Sequence, residues 1–118
     1  MVKYNQEEAQ RVSVLMDPTR YDIVSRLVGV GTLSAADIAE KYAMSKPAVS
    51  KHLGVLKEAE IVSGERSGRQ ILYSINFDEL GKMRLWLAEV ERFWSRSLDR
   101  LAERVESKHI TSKKDNKK

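Results

Sequence analysis

The sequence contains no cysteine, only two prolines and few aromatic residues, which make up 7% of its 118 residues. Without cysteine the chain cannot form disulfides, and thiolate metal sites, thiol redox sensing and cysteine catalysis are excluded. No apolar run approaches the roughly 18 residues that cross a membrane, and the N-terminus lacks the hydrophobic segment of a secretory signal. We therefore expect a cytoplasmic protein that has no membrane partner.

The positive charge of the chain is unevenly distributed. Hydrophobic residues make up 42% and charged residues 32% of the sequence, which is typical of a globular protein. Of the net charge of +4, all is accounted for by residues 107–118, which hold five lysines and one aspartate. Within the neutral remainder, residues 41–70 hold six basic and three acidic groups, a local excess of +3. Because this positive charge is concentrated in residues 41–70, it indicates where an anionic partner would bind.

Two short helices joined by a tight connection are predicted in the middle of the chain. Ser34 and Ser45 each precede an apolar pattern of helical period, and serine is a preferred residue at helix N-caps. Pro47 fits the first turn of the second helix, where its missing N–H would have no intrahelical partner. The pattern predicts a helix-turn-helix over about residues 34–59.

A β-hairpin is predicted directly after this motif. Residues 71–75 are mostly β-branched or apolar, and Ser67-Gly68 separates them from Ile61-Val62 and the residues that follow. A serine–glycine pair between two short apolar segments favours a tight turn between antiparallel strands. The sequence thus predicts a two-stranded wing over about residues 61–75.

Three further helices are predicted on either side of the wing and the helix-turn-helix. The first spans about residues 5–16, and the second begins at Pro18, with Asp17 as its N-cap, and ends near Val28. The longest spans residues 79–106 after an Asp78 cap. The fold class is therefore mainly α with a small β-hairpin, a winged helix-turn-helix of about five helices.

A single domain over residues 1–106 would contain all of these elements, including helices for dimerisation at about 5–16 and 79–106. The lysine-rich residues 107–118 are predicted to be a disordered tail. Such a tail would add nonspecific, salt-sensitive affinity for nucleic acid.

Several motifs resemble those of the ArsR-type family of winged helix-turn-helix repressors. The resemblance covers about residues 8–105. It implies a winged-helix fold, DNA binding and a histidine near the DNA, at the position of His52. The motifs are Asp17-Pro18-Thr19-Arg20, Ser45-x-Pro47-Ala48-Val49-Ser50-x-His52-Leu53, and Gly68-Arg69 ahead of Tyr73.

The second helix of the helix-turn-helix has an apolar side and a small polar side. At ~100° per residue, Leu53 and Leu56 lie within ~40° of Val49, and all three face the core. The opposite side suits entry into a major groove ~12 Å wide, because its side chains are small or basic. With two wing arginines, the predicted DNA-binding residues are Ser45, Lys46, Pro47, Ser50, Lys51, His52, Arg66 and Arg69.

Each of these residues also has a simpler structural interpretation. Ser45 can serve as a helix cap alone, and the lysines can belong to an ordinary solvated face. By its helical angle His52 lies beside the core stripe, as a boundary residue does. The position of the lysines on the exposed helix, next to Arg66 and Arg69, favours DNA binding.

The last predicted helix carries a long apolar stripe with both tryptophans of the chain. Such a stripe exceeds what one small winged domain can cover, so we expect the first and last helices to form a symmetric dimer interface. The predicted interface residues are Val12, Met16, Met83, Trp86, Leu87, Val90, Phe93, Trp94, Leu98 and Leu101.

Arginines recur at every fourth position along the same helix. Arg92, Arg96, Arg100 and Arg104 form one like-charged row, whose members repel one another by a few tenths of a kcal/mol per pair. The row is either a solvated face with local ion pairs, or it pairs with acidic residues such as Glu7 and Glu8 of a second copy. The sequence leaves both interpretations open.

No catalytic residue, cofactor or metal site is predicted. The chain has no nucleophile beside a plausible base, no glycine-rich phosphate loop and no paired carboxylates in a predicted cleft. The two histidines, His52 and His109, lie far apart, whereas a metal site needs several ligands at fixed spacing. The sequence therefore argues against an enzyme.

Together these features predict a sequence-specific regulator of transcription that binds double-stranded DNA. It would repress as a homodimer on an inverted repeat, with two recognition helices in successive major grooves. Two alternatives stay open, namely a sensor gated by an effector or by a metal at a non-cysteine site, and a dimeric protein-interaction module with weak DNA binding. The sequence specifies no small-molecule effector.

Overall fold

A computed structural model describes the backbone of residues 3–116 and the side chains of residues 3–106. The chain divides into two compact units. One is Tyr4–Arg84, and the other contains Lys3 and the chain from Leu85 onward. The boundary between the two units falls within the last helix.

The described residues form five helices and three strands, which confirms the mainly helical class with a small sheet. Helices α1 to α4 and all strands belong to the Tyr4–Arg84 unit, while α5 extends through both units. The elements are α1 Gln6–Leu15, α2 Pro18–Val30, β1 Thr32–Ser34, α3 Ala35–Ala39, α4 Lys46–Glu58, β2 Val62–Ser67, β3 Gln70–Ile75 and α5 Phe77–Asn116.

The helix caps predicted at Asp17 and Ser34 are present. Asp17 accepts a hydrogen bond from the backbone N–H of Arg20 at 3.0 Å and so caps α2. The hydroxyl of Ser34 accepts from the N–H of Asp37 at 3.1 Å and caps α3. The backbone N–H groups in the first turn of a helix have no acceptor within the helix, and each cap supplies one of them with an acceptor. These short-range signals were sufficient to locate both helix starts.

Two helices differ from their predicted bounds. α2 continues past Val28 to Val30 and ends at Gly31, whose φ of 96° lies in the region that favours glycine. α5 begins at Phe77, ahead of the predicted Asp78 cap. It also continues to Asn116, so that its backbone is helical where a disordered tail was expected.

The predicted hairpin is present, but the sheet has a third strand. β2 and β3 pair antiparallel from Val62 opposite Ile75 to Ser67 opposite Gln70. β1 pairs with the other edge of β3, which gives the order β1-β3-β2. β1 has only three residues and therefore shows no alternation in the sequence; its conformation depends on pairing with β3.

A compact apolar core fills the Tyr4–Arg84 unit. The stripe of α4 predicted to face inward is buried, since the exposure of Val49, Leu53 and Leu56 is at most 1%. Met83 belongs to the same core and is 3% exposed, so its prediction as a dimer contact is wrong. Val12, also predicted at the interface, is partly buried and packs against this core.

A buried arginine joins α1 to the end of α4 and to the first turn of α5. Arg11 lies 3.1 Å from a carboxylate oxygen of Glu8 and 3.0 Å from those of Glu60 and Glu79. Its Nε also donates to the carbonyl oxygen of Ala59 at 3.0 Å. Burial opposes the charge, but the three carboxylates outweigh it and raise the pKa of Arg11 above its usual value.

The second unit, from Leu85 onward, exposes apolar side chains on one long helix. Leu87, Trp94, Leu98 and Leu101 are between 43% and 56% exposed. Phe93 and Trp94 meet edge to face, with ring centroids 5.6 Å apart. No helix in the described part of the chain is long and apolar enough to span a membrane.

Candidate DNA-binding surface

The side of α4 opposite its buried stripe is open to solvent. Lys46, Pro47, Ser50 and Lys51 are all exposed there, as predicted from their helical angles. Ser45 is exposed too, and its hydroxyl accepts from the N–H of Ala48 at 3.3 Å, which gives it the cap role. The surface that α4 presents is therefore small, polar and basic.

The wing adds two exposed arginines beside this helix. Gly68 has a φ of 64° at the turn between β2 and β3, a conformation in which a side chain would be strained. Arg66 reaches across that turn and donates to the carbonyl oxygen of Gly68 at 3.4 Å. Arg69 follows Gly68 in the turn and lines a groove together with Ser50 of α4. The wing and the exposed helix thus form one continuous surface.

His52 has a different environment from the lysines next to it. Its side chain is 22% exposed, and its Nδ1 lies 3.2 Å from Nη1 of Arg20. A guanidinium can only donate, so Nδ1 is the acceptor and the proton of the neutral ring is on Nε2. His52 therefore joins α4 to the start of α2, and it lies away from the most exposed side of α4.

The Asp17-Pro18-Thr19-Arg20 motif builds this helix junction. Arg20 donates from Nε to the carbonyl oxygen of Val14 at 2.8 Å and from Nη1 to His52, so that it joins α1, α2 and α4. The backbone hydrogen bond from Arg20 is the main cause that lowers the pKa of Asp17, and the charge of Arg20 and a backbone hydrogen bond from Thr19 act in the same direction. The motif thus holds the exposed helix in position.

The described residues contain no group of three or more histidine, cysteine, aspartate or glutamate side chains that could hold a metal ion.

Comparison with known proteins gives matches that cover most of the chain. A family model described as a helix-turn-helix domain matches residues 15–65. Transcriptional repressor SdpR of Bacillus subtilis is 44% identical over 73 residues, which are 62% of this chain and 80% of that protein. HTH-type transcriptional regulator Rv2034 of Mycobacterium tuberculosis is 37% identical over 93 residues, 79% of this chain and 83% of that protein.

A solved structure agrees with these relatives. The ArsR-like transcriptional regulator from Rhodococcus sp. RHA1 superposes with a TM-score of 0.68 at 30% identity, covering 82% of this chain and 91% of that one. The chain belongs to the ArsR-type family of winged helix-turn-helix transcriptional regulators. This ArsR-type chain is accordingly a DNA-binding regulator and not an enzyme, which confirms the predicted class.

Sequence reasoning missed several residues of this surface in the ArsR-type chain. Gln70 and Tyr73 of β3, and Ala35 and Ala36 of α3, line the groove that Ser50 and Arg69 share. The period-2 alternation of β3 offered one signal, because Ile71 and Tyr73 must share a face of the strand. No local sequence pattern indicates that the start of α3 lies beside β3 of the wing, because that position depends on the pairing of β1 with β3.

Proposed function

We propose that this ArsR-type regulator represses transcription by binding as a homodimer to an inverted repeat in operator DNA. The observation that carries the proposal is the exposed, basic side of α4, which continues into the wing through the groove shared by Ser50 and Arg69. Such a helix fits the major groove, and the wing fits the flanking DNA. The similarity to a protein named as a repressor in Bacillus subtilis supports repression.

The predicted DNA residues take different roles in this proposal. Lys46, Ser50 and Lys51 contact the DNA directly from α4, with Pro47 beside them, since all four side chains are exposed. Arg66 and Arg69 contact DNA from the wing. Ser45 serves mainly as the helix cap, and His52 positions α4 through Arg20.

Homodimerisation is the second part of the proposal, and exposed apolar side chains support it. Trp94 and Leu98 are each 56% exposed and lie four residues apart on α5. Neighbouring exposed apolar side chains of this kind are typical of protein interfaces. In the Tyr4–Arg84 unit, Met16 at the C-cap of α1 is 71% exposed as well. We propose that the α5 stripe packs against a second copy of the chain, in an isologous contact.

The arginine row fits a solvated face better than this interface. On an ideal helix Arg96 lies about 160° around from Leu98, because each residue advances ~100°. Arg92, Arg96, Arg100 and Arg104 are all exposed. Of the two acidic residues expected to pair with the row, Glu8 is already bound to Arg11 of its own chain, which leaves only Glu7.

A cytoplasmic location is part of the same proposal, because an operator-binding regulator must reach the chromosome. No observation on the described residues favours a particular effector, and none is proposed.

DNA binding is tested by selecting bound sequences from a random duplex pool and then measuring anisotropy with the recovered operator. We expect an inverted repeat, and we expect Lys46→Ala with Lys51→Ala to weaken binding and to lower the salt slope by about 1 per lost phosphate contact. Lys82→Ala with Arg84→Ala removes two charges from exposed positions of α5 and is the matched control. Equal affinities of the two double variants would contradict the proposed surface.

Dimerisation is tested by equilibrium sedimentation of two single variants. Leu98→Glu places a charge in the apolar stripe and should shift dimers towards monomers. Arg96→Glu alters the opposite side of α5 and should leave the dissociation constant unchanged. Monomeric wild-type protein at micromolar concentration, or a larger effect from Arg96→Glu, would refute the proposed interface.

A further inference from the structure

Tyr42 lies in the connection between α3 and α4, where two residues of α2 hold its side chain. Its hydroxyl donates a hydrogen bond of 2.5 Å to a carboxylate oxygen of Asp22. The guanidinium of Arg26 lies over its ring, 5.5 Å from the ring centroid. Asp22 and Arg26 are four residues apart and therefore lie on the same side of α2. We call these three residues the Tyr42 cluster.

Arg26 also joins α2 to the end of α3. Its Nη1 donates to the carbonyl oxygen of Ile38 at 3.1 Å, and its Nη2 donates to that of Asp37 at 3.4 Å. The carbonyl groups in the last turn of a helix have no donor within the helix. α3 has only five residues, too few to be stable by itself, so its position depends on contacts of this kind. Arg26 therefore holds both α3 and the connection that follows it.

The hydrogen bond between Tyr42 and Asp22 joins a phenol to a carboxylate. Tyr42 is half-buried and packs against the core, whereas Asp22 is exposed. Burial, followed by the hydrogen bond to Asp22, raises the pKa of Tyr42 above its usual value, so its hydroxyl keeps its proton at neutral pH. A hydroxyl that donates to a carboxylate forms a short, charge-assisted bond, which is stronger than a bond between neutral groups.

The connection that contains Tyr42 leads directly into α4. Only three residues separate Tyr42 from Lys46, the first residue of α4. α4 is attached to α2 a second time at its middle, through the bond between His52 and Arg20. The start of a recognition helix is the part that contacts base edges. A displacement at Tyr42 would therefore move the part of α4 for which position matters most.

We propose that the Tyr42 cluster positions the first turn of α4 for sequence-specific contact with operator DNA. Asp22, Arg26 and Tyr42 are positioning residues, and none of them needs to touch the DNA. Contacts with base edges depend on the placement of the side chain, whereas flexible lysines reach phosphates from a range of positions. The inference rests on the proposed DNA-binding function and adds three residues that were not among the predicted DNA-binding residues.

Removal of the Tyr42 hydroxyl tests the inference directly. Tyr42→Phe keeps the ring beside Arg26 and loses only the bond to Asp22. Tyr21→Phe removes the same group from a tyrosine of α2 that is 61% exposed and is the matched control. In anisotropy measurements Tyr42→Phe should bind the selected operator about tenfold more weakly, because binding must then supply the order that the hydrogen bond provided. Its affinity for a scrambled duplex should change little, since that affinity depends on charge.

Substitutions of Asp22 show whether the hydrogen bond itself carries the effect. Asp22→Asn and Asp22→Ala remove the same negative charge, but only asparagine keeps an oxygen that accepts from Tyr42. Asp22→Asn should retain most of the operator affinity, whereas Asp22→Ala should lose as much as Tyr42→Phe. The double variant Tyr42→Phe with Asp22→Ala should lose no more than either single variant, because both remove the same bond. Additive losses, or equal losses for asparagine and alanine, would overturn the inference.

The stability of each variant is measured in parallel. Urea unfolding establishes that the variants are folded under the conditions of the anisotropy experiment, so that a change in affinity is not a change in the folded fraction. A folded Tyr42→Phe that binds both duplexes as Tyr21→Phe does, or that loses affinity for both by the same factor, would overturn the inference while operator binding by the wild type still stands. Wild-type protein that does not prefer its selected operator to the scrambled duplex would refute the proposed function, and the inference with it.

Discussion

Replacing Arg11 by methionine should remove a large share of the stability of the Tyr4–Arg84 unit. The side chain of Arg11 is 9% exposed and contacts three carboxylates and one backbone carbonyl. Methionine occupies a similar length but offers no charge and no donor. Glu8, whose side chain is 7% exposed, would then remain buried without its counter-charge.

The magnitude follows from how deeply each partner is buried. Removing one member of a buried ion pair typically lowers the free energy of unfolding by about 3–5 kcal/mol, because the other charge is left desolvated. Glu8 carries most of this cost, whereas Glu60 is 62% exposed and water would largely replace its contact. Glu79 is intermediate, since its side chain is 17% exposed and its Oε1, although near Arg11, has no hydrogen bond within the described residues.

We therefore expect Arg11→Met to lower the free energy of unfolding by about 3–5 kcal/mol, against the roughly 5–15 kcal/mol typical of a domain. Urea unfolding followed by circular dichroism measures the change through its midpoint. Arg84→Met, the same substitution at an exposed position of α5, should stay within about 0.5 kcal/mol of the wild type.

A second substitution checks that the loss comes from the orphaned carboxylate. Glu8→Gln in the Arg11→Met background removes the buried charge and should recover part of the stability. Arg11→Lys should fall between the wild type and Arg11→Met, because one ammonium cannot serve four acceptors in the geometry of a guanidinium. A loss below about 1 kcal/mol for Arg11→Met, or no recovery from Glu8→Gln, would refute this reasoning.

Three further predictions concern pH, backbone geometry and packing. Asp17→Asn should keep the α2 cap but remove its titration. Folding lowers the pKa of Asp17 from 3.8, so the ionised carboxylate stabilises the folded state above that pH, and this stabilisation is lost as the pH falls through the folded pKa. If the difference between the unfolding midpoints of Asp17→Asn and the wild type stays constant down to pH 2, this prediction is contradicted. Gly31→Ala should lower the free energy of unfolding in urea by about 1–2 kcal/mol, because an alanine side chain is strained at the φ of 96° that ends α2. An unchanged unfolding midpoint would mean that the backbone relaxes instead. Leu56→Ala, at 0% exposure, should cost about 2–5 kcal/mol, and a smaller loss would indicate that the core closes around the gap.

Much of the structure of the proposed DNA-binding surface could be predicted because its signals are local. Ser34 and Ser45 each cap an amide three residues ahead, and the buried stripe of α4 repeats at helical spacing. The turn at Gly68 likewise depends on its immediate neighbours. His52 was harder, because its role depends on Arg20, which lies 32 positions away in the sequence.

The predictions that failed concern residues whose role depends on distant parts of the chain. Met83 lies on the apolar stripe of α5, and periodicity cannot tell whether such a residue packs against its own core or against another copy. β1 is too short to show an alternating pattern. The polar, lysine-rich composition predicts that α5 ends near residue 106, but the backbone stays helical to Asn116.

The sequence by itself determined the winged helix-turn-helix class, the helix starts and which residues of α4 are exposed, since caps and periodicity act over three or four residues. Only the tertiary structure decided that Arg11 meets Glu60 and Glu79, that Arg20 holds His52, and that α3 and the wing enclose a groove beside Ser50. These contacts require chain topology to bring together side chains far apart in sequence. The conformational preference of a single residue does not predict which distant residues it will contact.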